Sequence, residues 1–153
     1  MSIEKAFRFS SATQWRRGAQ TVAIASGRPM ISVDAPPDLG GRDGRVWSPE
    51  ELLVSSAASC LALTLASVAQ ARRVDLERID VNAVGDLEKA PEGGFHFIAI
   101  ELLVEVEATG EHPHAIQALV EEAERRCIVS RALGVPVSVE LVVATTAHVA
   151  LSG

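Results

Sequence analysis

Two cysteines are the residues whose chemistry could define this protein. Cys60 and Cys127 are far apart in a chain of 153 residues. In a reducing compartment such a pair is more often redox-active, metal-binding or simply buried than a permanent structural bridge. A reactive cysteine must be held as its thiolate, which requires nearby positive charge or the N-terminus of a helix.

Cys60 lies on a predicted helix, about twelve residues after its start, where the dipole of that helix has little effect. Its neighbours at helical spacing are mostly small, and the ordinary interpretation is a buried, unreactive thiol. If the thiol is reactive, its positive partner must come from elsewhere, and arginine is the best candidate. A buried arginine needs a carboxylate in turn, so the expected set is two cysteines, an arginine and a glutamate.

The helix that carries Cys60 has a clear start. Ser48 is suited to the N-cap, Pro49 to the first helical position, and Glu51 completes a capping box. No charged residue follows between Leu52 and Ala71. The length alone would allow a membrane span, but serine, threonine and glutamine dilute the segment and strand-like sequences surround it. We therefore predict a helix that is buried on all sides and central to the fold.

The rest of the chain is predicted to form strands and one further helix. Apolar spacing at Ile116, Leu119, Val120, Ala123 and Cys127 predicts a helix that begins at Pro113 and points Cys127 inward. A long loop covers 34–47 and two turns lie at 27–29 and 90–94. Strands are predicted at 7–11, 21–25, 30–33, 79–88, 95–107 and 135–144.

The order βββ-α-ββ-α-β indicates an α+β fold with mostly antiparallel sheets around the long helix. Without a linker or an internal repeat, residues 1–153 are interpreted as a single domain.

Composition narrows the class of protein and its partners. The net charge of −6 argues against nucleic acid and against anionic membranes as partners. Hydrophobic residues at 48% exclude a disordered chain. With four Phe, two Trp and no Tyr, small aliphatic side chains must build the core, so a second subunit is expected to add buried area. The first residues lack the apolar segment of a secretory signal, and we expect a cytoplasmic protein.

Two other motifs are weaker candidates. His112 and His114 have H-x-H spacing and could bind a metal with Cys127, but neither C-x-x-C nor H-E-x-x-H is present. The glycine-rich loop at 38–45 lacks the Lys-Ser/Thr of a phosphate-binding loop. We therefore predict no metal and no cofactor.

Two segments resemble the OsmC/Ohr family of thiol peroxidases. Residues 48–53 and 57–60 are similar to its T-N-P-E-x-L…A-x-C signature, and residues 123–133 to its A-E-x-x-C-P-V-S-K-A-L segment. The strand at 135–140 also fits. The chain departs from the pattern at Ile128, where the family usually has proline, and at Trp47 and Ser48, where it has Thr-Asn. The Ohr-type C-P-Y-S-N-A motif is absent, which favours the OsmC or OsmC-like branch.

The resemblance implies roles for individual residues. Cys60 would be the peroxidatic cysteine and Cys127 the resolving cysteine that closes a disulfide with it. Glu50 matches the conserved glutamate of the family. The arginine of the family lies in the first hairpin and is carried to Arg17 by its distance from Glu50, with Arg16 as the alternative. Because adjacent strand residues face opposite sides, only one of the two should reach the site.

The resemblance also implies a fold and an activity. The expected fold is OsmC-like, in an intertwined homodimer. The expected activity is that of an antioxidant stress-response enzyme, a thiol-dependent peroxidase that reduces organic hydroperoxides and, less efficiently, hydrogen peroxide. Electrons would come from an external dithiol, which in the family is often a lipoylated protein. The alternative is a non-catalytic OsmC-like dimer that binds a small lipophilic ligand at its interface.

Helix geometry adds one expectation of its own. Glu50 and Cys60 are ten residues apart on one predicted helix, which places them about 15 Å apart along its axis and roughly 80° apart around it. They cannot share a site within one straight helix. If Glu50 does hold the arginine beside Cys60, a second chain should provide one side of the site.

Overall fold

The computed structural model describes residues 7–17, 20–42 and 44–145. Its contacts group the chain into two compact units, residues 1–52 and residues 53–153. The boundary between them falls inside the long helix α1, Pro49–Arg72. That residues 1–153 form a single domain stays a prediction.

The first unit contains a three-stranded antiparallel sheet in the order β1-β2-β3. Its strands are β1 (Ala12–Trp15), β2 (Thr21–Ile24) and β3 (Ile31–Val33). The second and third strands confirm the prediction, whereas the first lies several residues later than predicted. Ala12 pairs with Ile24, the last residue of β2. The residues before Ala12 therefore have no partner residues in β2, and their alternating pattern does not form a strand.

Residues 34–42 of the predicted loop at 34–47 are tightly folded. The Asp34 carboxylate accepts hydrogen bonds from the backbone N–H groups of Ala35 (2.9 Å) and Arg42 (3.1 Å). A single 3-10 turn, Pro37–Leu39, lies between these anchors. Gly41 approaches the Ala35 backbone so closely that a Cβ atom at position 41 would overlap it. This position therefore requires glycine.

The predicted capping box at the start of α1 is confirmed. The Ser48 N–H donates to Glu51 Oε2 at 2.8 Å, and the Glu51 N–H donates to Ser48 Oγ at 3.1 Å. These reciprocal bonds satisfy two backbone donors that a helix start otherwise leaves without partners. They fix the residue at which α1 begins.

α1 is buried on one face within its own chain. The buried positions recur at helical spacing and are Ala57, Ala58, Leu61, Leu65, Val68 and Ala69. On the opposite face, Leu63 is 72% exposed. The prediction that this helix is buried on all sides is therefore wrong for the single chain, because several residues of its other face are exposed. By length and composition α1 could also cross a membrane, yet its buried face belongs to the core of the second unit.

The second unit contains a mixed sheet in the order β4-β5-β6. Its strands are β4 (Leu76–Lys89), β5 (Phe95–Ala108) and β6 (Val137–Thr145). β4 and β5 form an antiparallel hairpin, whereas β6 runs parallel to β5. The helices α2 (Pro113–Arg126) and α3 (Ile128–Ala132) connect β5 to β6. A helical crossover permits this parallel pairing, so the fold is α+β with one antiparallel and one mixed sheet.

The core of the second unit forms between α1, β5 and α2. The predicted stripe of α2 and Cys127 is buried as expected. Alternate residues of β5 are also buried, at Ile100, Leu102, Val104, Val106 and Ala108. Ile98, which continues this alternation towards the start of β5, is 40% exposed. This core fixes the positions of both cysteines.

Candidate functional site

The two cysteines meet in the second unit. Cys60 lies in the middle of α1 and is half-buried, whereas Cys127 lies between α2 and α3 and is fully buried. Both thiols are free. Cys60 packs against the buried core that includes Cys127, and the Cys127 thiol lowers the pKa of the Cys60 thiol. Residues that are distant in sequence are thus neighbours in the fold.

The local backbone explains how Cys127 reaches this position. It is the last residue of the apolar stripe of α2 and has an extended backbone, with φ of −63° and ψ of 108°. This residue separates α2 from α3, and its carbonyl accepts the Arg131 N–H at 3.2 Å. Its Sγ lies 3.2 Å from the Ser130 hydroxyl oxygen. When the Cys127 thiol donates its proton to Cys60, its sulfur can accept the Ser130 hydroxyl proton.

Thr64 contacts Cys60 from the next turn of α1. Its hydroxyl donates to the Cys60 carbonyl at 2.7 Å, and its proximity lowers the pKa of the Cys60 thiol. A hydroxyl that bonds to the carbonyl four residues earlier is common in helices. Here the same bond holds the hydroxyl next to the thiol.

The environment of Cys60 favours its thiolate. Partial burial is the largest single influence and raises the pKa of the thiol. It is outweighed by hydrogen bonds from the Val129 backbone, the Cys127 thiol, the Ile128 backbone and Thr64, so the pKa of Cys60 falls below its ordinary value. Since donors stabilise the charged sulfur, a larger fraction of Cys60 is ionised at neutral pH than in an ordinary cysteine.

Sequence reasoning missed these donors. It considered only the helix that carries Cys60 and assigned the stabilising charge to an arginine. The first residues of α3, Ile128 and Val129, are among the groups that lower the pKa of Cys60. Spacing along the chain gives no signal for this arrangement, because only tertiary packing places α3 beside α1.

Glu50 lies in the first unit, at the start of α1. It lines a cleft of about 290 Å³ together with residues of the sheet and the loop, among them Trp15, Thr21 and Asp34. Its Oε2 atom is buried and has no hydrogen-bond partner among the described residues. A buried carboxylate oxygen without a donor is costly. It is therefore the kind of acceptor that the predicted arginine requires.

The two candidate arginines also lie in the first unit, and both are exposed. The Arg16 guanidinium donates to the Trp15 carbonyl at 3.2 Å. β1 ends at Trp15, so both arginines follow the strand. The rule that adjacent strand residues face opposite sides therefore does not apply to them and does not indicate which arginine belongs to the site. The assignment to Arg17, with Arg16 as the alternative, stays a prediction. The pairing of either arginine with Glu50 and their joint action on Cys60 are predictions as well.

The weaker candidate site does not assemble into a metal centre. His112 and His114 are exposed at the start of α2. Within residues 7–17, 20–42 and 44–145, no three His, Cys, Asp or Glu side chains form a group that could hold a metal ion.

The contact between the cysteines defines what the site can do. A half-buried thiolate can attack an electrophile, and a second thiol beside it can then displace the group left on the first sulfur. This arrangement suits a cycle between two thiols and a disulfide.

Comparison with known proteins gives a consistent result. The family model described as OsmC-like protein matches residues 41–142. YmaD from Bacillus subtilis, an uncharacterized protein, is 25% identical over 122 residues, or 77% of this chain and 80% of YmaD.

Among solved structures, the OsmC-like protein of unknown function VCA0330 from Vibrio cholerae has a TM-score of 0.81 at 21% identity, covering 90% of this chain and 100% of that one. A Legionella pneumophila protein described as an organic hydroperoxide resistance protein OsmC has a TM-score of 0.72 at 26% identity, covering 92% and 99%.

Proposed function

Since the chain belongs to the family of OsmC-like proteins, we propose that it is a thiol-dependent peroxidase acting on organic hydroperoxides and, less efficiently, on hydrogen peroxide. The observation that carries this proposal is the contact between Cys60 and Cys127, in which hydrogen-bond donors lower the pKa of the Cys60 thiol. The description of the Legionella pneumophila relative as an organic hydroperoxide resistance protein supports the same activity.

The proposed reaction has two chemical steps in the protein. The Cys60 thiolate attacks the outer oxygen of the hydroperoxide, the O–O bond breaks, and the alkoxide leaves as an alcohol after gaining a proton. Cys60 is thereby oxidised to a sulfenic acid. Cys127 then attacks this sulfur, water leaves, and a disulfide joins the two residues. The oxidation of two thiols to one disulfide balances the two-electron reduction of the peroxide.

An external dithiol closes the cycle by thiol–disulfide exchange. It restores both cysteine thiols and is itself oxidised to a disulfide. We propose a lipoylated protein as the reductant and the cytoplasm as the compartment, where dithiol reductants are maintained. No metal or organic cofactor takes part in this cycle.

Glu50 and Arg17 are proposed to complete the site. The unpartnered, buried Oε2 of Glu50 supports an ion pair with an arginine. A guanidinium fixed by this carboxylate would add positive charge beside the thiolate and orient the peroxide oxygens. Arg16 is the alternative donor.

We propose that the active form is a homodimer. Large apolar side chains are exposed in both units, including Phe9, Trp15 and Met30 in the first and Leu63 and Phe95 in the second. Large apolar side chains left exposed in a single chain favour association with another subunit. A second copy would also supply the Glu50 that helix geometry separates from Cys60 on its own chain.

The function is tested by mass spectrometry of the reduced protein after addition of one equivalent of cumene hydroperoxide. We expect the mass to fall by two hydrogens as the disulfide between Cys60 and Cys127 forms. Cys127→Ser should stop at the sulfenic acid on Cys60, which dimedone traps as a stable adduct. Cys60→Ser should show neither product.

The outcomes separate the proposed enzyme from a non-catalytic binding protein. If both thiols stay reduced in the wild-type protein while the hydroperoxide remains intact, the peroxidase proposal is wrong. If Cys60→Ser consumes hydroperoxide as fast as the wild-type protein, Cys60 is not the reacting thiol.

A further inference from the structure

Cys127 is fully buried, yet the proposed reaction requires it to attack as a thiolate. Its side chain is 0% exposed, so within the chain water does not solvate the sulfur. A buried anion is costly unless a hydrogen-bond donor stabilises it. The protein must therefore supply a donor to the Cys127 sulfur when this residue reacts.

The Ser130 hydroxyl is placed to be this donor. Its Oγ atom lies 3.2 Å from the Cys127 Sγ atom, and while the thiol keeps its proton either group can donate. A thiolate has no proton, so only the hydroxyl can donate once Cys127 is ionised. The contact between the two side chains then becomes a charge-assisted hydrogen bond, which is stronger than a neutral one.

The backbone of α3 fixes this contact between the side chains. The Arg131 N–H donates to the Cys127 carbonyl at 3.2 Å, and the Leu133 N–H donates to the Ser130 carbonyl at 3.3 Å. Side chains at the spacing of Cys127 and Ser130 ordinarily bond to the backbone amides at a helix start, but Cys127 forms no side-chain cap. Its sulfur and the Ser130 hydroxyl bond to each other instead.

We infer that Ser130 is a positioning residue for Cys127, whose hydroxyl fixes the buried sulfur and donates to it in the ionised form that attacks Cys60. The inference rests on the proposed function and adds a residue to the set of two cysteines, Glu50 and arginine. In that attack the S–S bond forms and the S–O bond of the Cys60 sulfenic acid breaks. The departing hydroxide takes up the proton that Cys127 has lost and leaves as water.

Three variants separate the hydroxyl from the rest of the side chain. Ser130→Ala removes the hydroxyl, whereas Ser130→Thr keeps it. Ser138→Ala is the control for replacing serine by alanine, because Ser138 is an exposed residue of β6.

The test adds one equivalent of dithiobisnitrobenzoate to the reduced protein and follows the release of thionitrobenzoate by absorbance. The Cys60 thiolate attacks the reagent, the disulfide of the reagent breaks, and the first thionitrobenzoate leaves. Cys127 then loses its proton to the buffer, attacks the Cys60 sulfur and displaces the second thionitrobenzoate. Cys127→Ser should release only the first, so the second phase of release reports the reaction of Cys127.

We expect Ser130→Ala to keep the first phase and to slow the second about tenfold at neutral pH, which corresponds to one hydrogen bond to a charged acceptor. The pH profile of the second phase should also move to higher pH, a change that a merely structural defect does not cause. Ser130→Thr should restore both properties, and Ser138→Ala should match the wild-type protein.

An unchanged pH profile in Ser130→Ala would overturn the inference, and so would a displaced profile that Ser130→Thr does not restore. A wild-type chain that releases only the first thionitrobenzoate would also overturn it, because Cys127 then does not attack Cys60. This assay needs no peroxide. If both phases occur but cumene hydroperoxide leaves the wild-type thiols reduced, the proposed function is wrong and the role of Ser130 in disulfide formation stands.

A second measurement leaves Ser130 unchanged and so does not depend on the folding of its variants. In Cys60→Ser, Cys127 is the one remaining cysteine, and its ionisation is followed by the ultraviolet absorbance of the thiolate. With ¹³C-serine labelling, the Ser130 Cβ signal, identified by its absence in Ser130→Thr, should shift with pH at the same midpoint. A Ser130 signal that does not respond while Cys127 ionises would refute the inference.

Discussion

A substitution at Gly85 tests whether the packing of α1 against β4 positions the part of the site that α1 carries. It lies on β4 opposite Ile100. A methyl group at this position would lie 2.6 Å from the Phe97 ring and 2.7 Å from a methyl of Val54 on α1. Carbon atoms in contact prefer about 3.5–4.0 Å, so the helix and the ring must each move by roughly 1 Å. Overpacking of this size costs about 1–3 kcal/mol.

Gly85→Ala also gains something, because glycine within a strand is less stable than alanine by about 0.5–1 kcal/mol. The net expectation is a loss of up to about 2.5 kcal/mol in the free energy of unfolding. Gly134→Ala is the matched control, since a methyl at Gly134 meets no atom within 4 Å. That substitution should be neutral or stabilising by up to about 1 kcal/mol.

Both variants are compared with the wild-type protein by urea denaturation at one fixed protein concentration, because association contributes to stability. The rate of disulfide formation after hydroperoxide addition is measured in parallel. Because Val54 is on the helix that carries Cys60, Gly85→Ala should also slow the closure of the disulfide with Cys127. If Gly85→Ala has the same free energy of unfolding as Gly134→Ala, the inference that α1 packs closely against β4 at Gly85 is wrong.

Three further predictions follow from the described contacts and the proposed site. Ser48→Ala removes the capping bond to Glu51 and should lower the free energy of unfolding, measured by urea denaturation, by about 1 kcal/mol. An unchanged free energy of unfolding would argue against the capping box. Folding lowers the pKa of Cys60. The ionised Cys60 thiol therefore contributes stability that is present above the pKa of the unfolded thiol and is lost as pH falls through the folded pKa. The stability of the wild-type protein minus that of Cys60→Ser should therefore rise with pH through this window, and a constant difference would contradict the lowered pKa. For the proposed dimer, mixing Cys60→Ser chains with Glu50→Ala chains should recover about a quarter of wild-type peroxidase activity by random pairing. A verified heterodimer without activity would show that Cys60 and Glu50 act within one chain.

Local patterns determined the elements of this protein. The capping box at Ser48 and the stripe that ends at Cys127 depend on interactions between residues a few positions apart, so both could be predicted. The same holds for the alternation along β5, apart from Ile98 at its exposed end. The parallel pairing of β6 could not be predicted, because it depends on the path of the chain through α2 and α3.

The sequence by itself also predicted that Cys60 and Cys127 form a reactive pair, through residue type and through resemblance to a family, and this stays a prediction. It could not supply the donors around Cys60. An amide gives no sign in the sequence of which group lies beside it, and only the tertiary structure places the backbone of Ile128 and Val129 where it lowers the pKa of Cys60. Burial of α1 was misjudged for a related reason. An apolar sequence indicates that a surface must be covered, whereas the tertiary structure decides how much of it the same chain covers.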